Sequence, residues 1–268
     1  MTRAPTPLLL VGAGRMGGAL AVGWVSAKLG PIVAVEPHPS TALRKLKGVN
    51  FVSTIEDLPA KPWRACVVAL KPQILRTEAH RLKAVAMAGT PMISIAAGTS
   101  IGFLARQWGR KARIIRAMPN TPGAIGRGIT ALYAAPNATA KDKALAGSLL
   151  AALGEIVWVK SESLIDAATA VSGSGPAYVF ALTEALAAAG EAAGLPRAVA
   201  AQLARATISG AGALLDADRR APAELRRDVT SPGGTTEAAL KILLAQDGLS
   251  ALMKRAVAAA KKRAEELS

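Results

Sequence analysis

One cysteine, Cys66, in 268 residues excludes an intramolecular disulfide framework and fits a reducing cytoplasm. Aromatic residues are only 3% of the chain, so the core has to be built from Ala, Leu, Val and Ile. Helices this rich in alanine are expected to pack at close range. The same scarcity removes the flat side chains on which bases stack. The net charge of +15 is spread along the chain and is read as the basic surface of an enzyme with anionic ligands, with no nucleic-acid partner expected. Long apolar runs are missing too. The run 8–11 stops at Gly12, and the alanine-rich stretch 185–193 is interrupted by Gly190 and Glu191. A membrane span needs about 20 apolar residues, so neither a membrane segment nor a signal peptide is expected.

The first half alternates short apolar runs with helix-like stretches. Strands are expected at 8–11, 32–35, 51–53, 65–70, 92–96, 113–117, 129–133 and 155–159. Continuous apolar runs of four to six residues suit strands buried on both faces, and their alternation with helices indicates an α/β doubly wound sheet. After Lys160 no strand is expected. Helical stretches take over, broken at Gly194-Leu195-Pro196, Arg220-Ala221-Pro222 and Ser231-Pro232-Gly233-Gly234. The division expected is 1–161 for the sheet domain and 162–268 for an all-α domain. The last helix carries Leu249, Leu252, Met253, Ala256, Val257 and Ala260 along one face, with Lys254, Arg255, Lys261 and Lys262 opposite. A bundle continuing into a partner subunit and a self-contained bundle are both open at this point.

Gly12-Ala13-Gly14-Arg15-Met16-Gly17 follows the first strand and opens a helix, the G-x-G-x-x-G arrangement of a dinucleotide site. Gly12 permits the tight turn, Gly14 lets backbone approach a pyrophosphate, and Gly17 lets helix and sheet pack closely. The helix N-terminus adds N–H donors and a favourable dipole. Glu36 follows 19 residues after Gly17, where an acid can accept from adenosine ribose hydroxyls and repel a 2′-phosphate. Ser40, Arg44 and Lys45 come soon after and offer partners to a phosphate, so the expected cofactor is NADH or NADPH, leaning to NADH. Leu70-Lys71-Pro72 and Ser94-Ile95-Ala96-Ala97-Gly98 end two further strands, and are expected to flank the ribose and nicotinamide at the carboxyl edge of the sheet.

The helical half contains two glycine- and hydroxyl-rich segments, Ser172-Gly173-Ser174-Gly175-Pro176-Ala177-Tyr178 and Asp228-Val229-Thr230-Ser231-Pro232-Gly233-Gly234-Thr235-Thr236. Each precedes a helix, where successive N–H groups face an anion. The second has the parts of a carboxylate cradle; Thr235 is also a candidate N-cap. Together with the glycine turn, Leu70 to Pro72, Ser94 to Gly98, Arg116-Ala117-Met118-Pro119-Asn120-Thr121-Pro122 and Leu164-Ile165-Asp166, these segments resemble pyrroline-5-carboxylate reductases along nearly the whole chain.

That resemblance implies a Rossmann domain followed by a helical dimerisation domain, a homodimer, and in many relatives a decamer of five dimers. It implies NAD(P)H-dependent reduction of 1-pyrroline-5-carboxylate to proline, with no metal. By motif position Val11, Gly12, Ala13, Gly14, Arg15, Met16, Glu36, Ala69, Leu70, Lys71, Pro72, Ile95, Ala96 and Ala97 bind the cofactor. Asp228 belongs to the same set, although the family often has asparagine there. Glu162, Ser231, Gly234, Thr235 and Thr236 contact the substrate, with Thr236 hydrogen-bonding the imine nitrogen. Ala221 departs from the family's frequent histidine, and Arg219 and Arg220 stand in an often acidic segment. The β-hydroxyacid dehydrogenases share the glycine turn but need a lysine after their Gly-Ser-Gly turn; no lysine occurs between Lys160 and Lys241. A non-catalytic dinucleotide sensor is the rival from another class, separated by a turnover assay. His38 and His80 are read as surface residues.

Overall fold

The computed structural model describes residues 5–60 and 62–267. Eight strands form one sheet: β1 (Leu8–Val11), β2 (Ile32–Val35), β3 (Val49–Val52), β4 (Ala65–Val68), β5 (Met92–Ser94), β6 (Ile114–Met118), β7 (Gly128–Ala134) and β8 (Gly154–Trp158). The helices are α1 (Arg15–Ser26), α2 (Thr41–Arg44), α3 (Pro72–Glu78), α4 (Lys83–Met87), α5 (Ile101–Trp108), α6 (Ala140–Leu150), α7 (Ser163–Ala168), α8 (Gly175–Ala192), α9 (Arg197–Ala217), α10 (Pro222–Asp228), α11 (Thr235–Leu243) and α12 (Leu249–Leu267).

The sheet order is β3-β2-β1-β4-β5-β6-β7-β8. All neighbours are parallel except β6 and β7, which run antiparallel. The reversal there comes from the short connection 119–127, which holds a 3-10 turn and no crossover helix. Strand order reverses beside β1, between β2 and β4, and that switch point opens a crevice at the carboxyl ends.

Alternating side chains of each strand feed two cores. Leu8, Leu10, Ile32 and Ile115 pack with Leu20, Trp24 and Leu149 on one face. Leu9, Val11, Val33, Cys66 and Ile114 pack with Leu75, Leu104 and Trp108 on the other. One tryptophan anchors each face: Trp24 Nε1 donates to the Leu149 carbonyl at 2.8 Å, and Trp108 Nε1 to the Ala79 carbonyl at 2.9 Å. The indole N–H is thereby satisfied while the ring stays buried. Burial pushes the Cys66 thiol pKa far up, so it stays protonated and acts as a small apolar filler.

The chain divides into two compact units, Met1–Gly173 with Ala260–Ser268, and Ser174–Ala259. In the second, α8 and α9 form a hairpin through Gly194, whose φ of +100° makes the turn. Their close approach uses small residues: a Cβ at Gly190 would lie 3.2 Å from that of Ala200. Ala200 and Ala204 are the buried residues of α9, and among the described residues α8 has none. By length and composition α9 is long and apolar enough to cross a membrane, against the expectation that no segment would be.

Candidate active site

The glycine turn sits at the switch point. Gly12 has φ +88°, and a Cβ there would stand 2.9 Å from the Ala69 carbonyl oxygen. Ala69 N donates to the Val11 carbonyl at 2.8 Å, so the first two segments expected at the cofactor lie side by side. At Gly17 a Cβ would be 2.0 Å from the Gly12 carbonyl oxygen, whereas one at Gly14 would meet nothing within 4 Å. Gly14 is the N-cap of α1, with no side-chain cap and no acid in the first turn. Arg15 and Met16 open the helix, so its positive end is left unneutralised, as suits an anion site.

Glu36 directly follows β2. Its carboxylate accepts from Ala13 N at 2.9 Å and from His38 N at 3.1 Å, which fixes it beside the turn. A cleft of about 350 Å³ is lined by Gly12, Glu36, Thr54, Leu70 and Ile74. A second, of about 750 Å³, is lined by Ala13, Gly14, Arg15, Glu36, His38 and the 123–126 segment. His38 is exposed, as expected of it, yet it borders this cleft. Ser40 Oγ caps α2 by accepting from Leu43 N at 3.3 Å, and Arg44 Nε donates to the Pro39 carbonyl.

Lys71 is exposed at the N-cap of α3, with Pro72 in the first turn. Ile95 N donates to the Val68 carbonyl, which sets the segment of Ile95, Ala96 and Ala97 next to that of Ala69 and Leu70. The expected strands 65–70 and 92–96 end early, at Val68 and Ser94. Their apolar runs continue because Ile95 and Ala96 remain buried after leaving the ladder.

Glu162 precedes α7. Its Oε1 accepts from Ile101 N at 2.6 Å and from the Arg116 guanidinium at 3.1 Å. Arg116, only 2% exposed, also donates to Asp166 Oδ1 at 2.8 Å. Arg116 and Asp166 stand in family-like motifs, but their pairing is not among the roles expected from the sequence. A signal was present: an arginine inside an apolar strand, and two acids four residues apart, hence on one helical face.

The expected Ser172 loop is different in form. Residues Thr169–Gly173 make a π-helical turn, in which Ser172 Oγ donates to the Ala168 carbonyl at 2.9 Å. Such turns recur at functional sites.

In the second unit the Asp228 segment is an exposed loop between α10 and α11. Gly234, not Thr235, is the N-cap of α11, because its backbone is extended (φ −81°, ψ 171°) and Thr235 is already helical. Thr235 and Thr236 therefore lie in the first turn, where backbone N–H groups have no intrahelical acceptor. Gly234 N donates to the Ser231 carbonyl at 3.0 Å, and Gly233 N to Glu237 Oε2 at 2.7 Å. Ser231, Gly234, Thr235 and Thr236 are thus gathered at one helix start. Asp228 ends α10 and pairs with Arg220 at 2.9 Å. Arg220 also pairs with Asp218 at 2.8 Å; its hydrogen bonds hold the Asp218 carboxyl below its usual range.

Residues 162–267 match the family model described as pyrroline-5-carboxylate reductase dimerisation. A pyrroline-5-carboxylate reductase of Arabidopsis thaliana is 37% identical over 263 residues, 96% of this chain and 94% of its own length. The chain belongs to the pyrroline-5-carboxylate reductase family. A solved pyrroline-5-carboxylate reductase of Coxiella burnetii superimposes with a TM-score of 0.90 at 34% identity, covering 98% of each chain. That of Plasmodium falciparum, solved with NADP bound, gives 0.80 at 29% identity, again covering 98% of each. Membership in the pyrroline-5-carboxylate reductase family makes the protein an oxidoreductase with a self-associating helical region, and accounts for the Rossmann-type sheet.

Proposed function

We propose that the chain reduces 1-pyrroline-5-carboxylate to proline, with a reduced nicotinamide dinucleotide supplying the hydride. The observation that carries this reading is that a member of this family has an uncapped glycine-turn helix in its first unit and, in its second, a hydroxyl-bearing helix start at α11. Gly12, Ala13, Gly14, Arg15 and Met16 cradle the pyrophosphate. Glu36, fixed by two backbone N–H groups, receives the adenosine ribose hydroxyls and favours NADH over NADPH. Val11, Ala69, Leu70, Lys71 and Pro72, with Ile95, Ala96 and Ala97, line the rest of the cofactor site. Asp228, which also pairs with Arg220, belongs to the same set by motif position.

The backbone N–H groups of Thr235 and Thr236, with Ser231 and Gly234, hold the substrate carboxylate at the positive end of α11. Thr236 Oγ1 hydrogen-bonds the imine nitrogen and relays a proton from water. A threonine hydroxyl is a weak acid, so its contribution is orientation. The assembly expected is a dimer built through the helical region, extended to five dimers, in a reducing cytoplasm.

The test is oxidation of NADH and of NADPH with 1-pyrroline-5-carboxylate, followed by near-ultraviolet absorbance with proline assayed as product. Proline-forming oxidation is expected, with the higher kcat/KM for NADH. Thr236→Ala should cut turnover much more than NADH binding; equal losses would remove Thr236 from the chemistry. No turnover by folded protein with either cofactor would favour another cyclic imine or a sensor.

A further inference from the structure

We propose that Glu237 is a specificity-determining residue of the substrate site, one that restricts the start of α11 to a ligand with a single carboxylate. This rests on the proposed placement of the substrate carboxylate at Ser231, Gly234, Thr235 and Thr236. The two helix starts assigned to anions differ in one respect. α1 has no acid in its first turn, whereas α11 carries Glu237 there. An acid in the first turn offsets part of a helix's positive end. The bare start of α1 suits a pyrophosphate with its two charges, and the partly offset start of α11 suits a ligand with one.

Glu237 also sets which donors the loop presents. Its Oε2 accepts from Gly233 N at 2.7 Å, the length of a charge-assisted bond. That bond holds Gly233 in its left-handed conformation, φ +71°. Pro232 has no N–H to offer, and Gly234 N is engaged by the Ser231 carbonyl at 3.0 Å. What remains toward a ligand are the first-turn N–H groups of α11, of which Thr235 and Thr236 are the pair nearest the loop. Two adjacent donors match the two oxygens of one carboxylate. A tetrahedral dianion finds the Gly233 donor already taken and meets the Glu237 charge beside the N-cap. Glu237 is half-buried, so that charge is less screened than an exposed one.

The test uses the full chain in steady-state kinetics at saturating NADH, with inorganic phosphate as a competitor of the imine. Glu237→Gln keeps an oxygen for Gly233 N and removes the charge; Glu237→Ala removes both. Glu237→Gln is expected to lower the competitive inhibition constant of phosphate about fivefold and to change the imine KM by no more than about twofold. Glu237→Ala should raise the imine KM about fivefold, the worth of one hydrogen bond. NADH affinity, measured by fluorescence without substrate, should stay within about twofold of the parent in both. Unchanged phosphate inhibition in Glu237→Gln would overturn the proposal, because the charge would then not reach the anion. Equal imine KM values in the two variants would overturn it as well, since the Gly233 bond would not shape the cradle. Thr235→Pro tests the underlying reading. Proline is well tolerated at the first position of a helix, and the extended backbone of Gly234 suits a residue before proline, so the N–H and hydroxyl are lost without breaking α11. An unchanged imine KM in Thr235→Pro would place the substrate carboxylate elsewhere. A raised KM there, beside unaltered phosphate inhibition in Glu237→Gln, would keep the carboxylate site and sink the role of Glu237 alone.

Discussion

At Gly17 an added Cβ would stand 2.0 Å from the Gly12 carbonyl oxygen, while at Gly14 it would project into open space. The two glycines lie three residues apart and answer to different demands. Gly17→Ala forces α1 away from the β1 turn, an overpacking cost of about 1–3 kcal/mol. Gly14→Ala leaves the fold alone, because its φ of −65° suits any residue. In the proposed site it fills the space through which backbone approaches a pyrophosphate. Thermal melting should therefore fall for Gly17→Ala and stay within about 2 °C of the parent for Gly14→Ala. NADH titration should show Gly14→Ala weakened about tenfold or more. A Gly14→Ala protein with undiminished affinity would place the dinucleotide elsewhere. The tight turn at Gly12 and the close packing at Gly17 were legible in the sequence, since turn chemistry is local. The Arg116 triad was not, because its partners lie 46 and 50 residues away and no spacing rule joins a strand to a distant helix.

Element boundaries carry a second lesson. All eight strands were readable as apolar runs, and the helical breaks at Gly194, Ala221 and Gly233 fall between helices. The antiparallel direction of β7 was hidden, because a strand buried on both faces has the same pattern either way. The start of α6 shows how a helix is secured. Thr139 Oγ1 accepts from Asp142 N at 3.2 Å, and Asp142 Oδ2 accepts from Thr139 N at 2.8 Å, a reciprocal cap. Arg113 adds a bond to Asp142 Oδ1 at 2.9 Å. Thr139→Ala should cost about 1 kcal/mol, the usual worth of an N-cap. Asp142→Ala removes the cap and leaves Arg113 without its carboxylate; with Arg113 part exposed, about 2–3 kcal/mol is expected. Urea unfolding of both variants measures the difference. Equal costs would mean that the Arg113 pair adds nothing beyond the cap.

On the scale of the whole molecule, the second unit cannot bury its own apolar surface. Phe180 is 63% exposed on α8 and Leu203 51% exposed on α9, with Leu182, Leu186, Val199 and Leu214 also open. Patches of this extent mark an interface. The match of residues 162–267 to a dimerisation family gives α9's apolar length an occupant, a second copy of the chain. The sequence left a self-contained bundle and a shared one open because composition says that a face is apolar, not what covers it. In a two-fold dimer each substitution acts twice. Leu203→Glu withdraws two leucines from burial, roughly 3 kcal/mol or more, a dissociation constant raised over a hundredfold. Sedimentation across a concentration series should show the variant as monomer where the parent is dimer or larger. NADH binding, which the proposed site assigns to the first unit, should persist and show that the chain is still folded. A Leu203→Glu protein that keeps the parent's size at the lowest concentrations would mean that this face of α9 points to solvent in the assembly, leaving the α8 surface around Phe180 as the dimer contact.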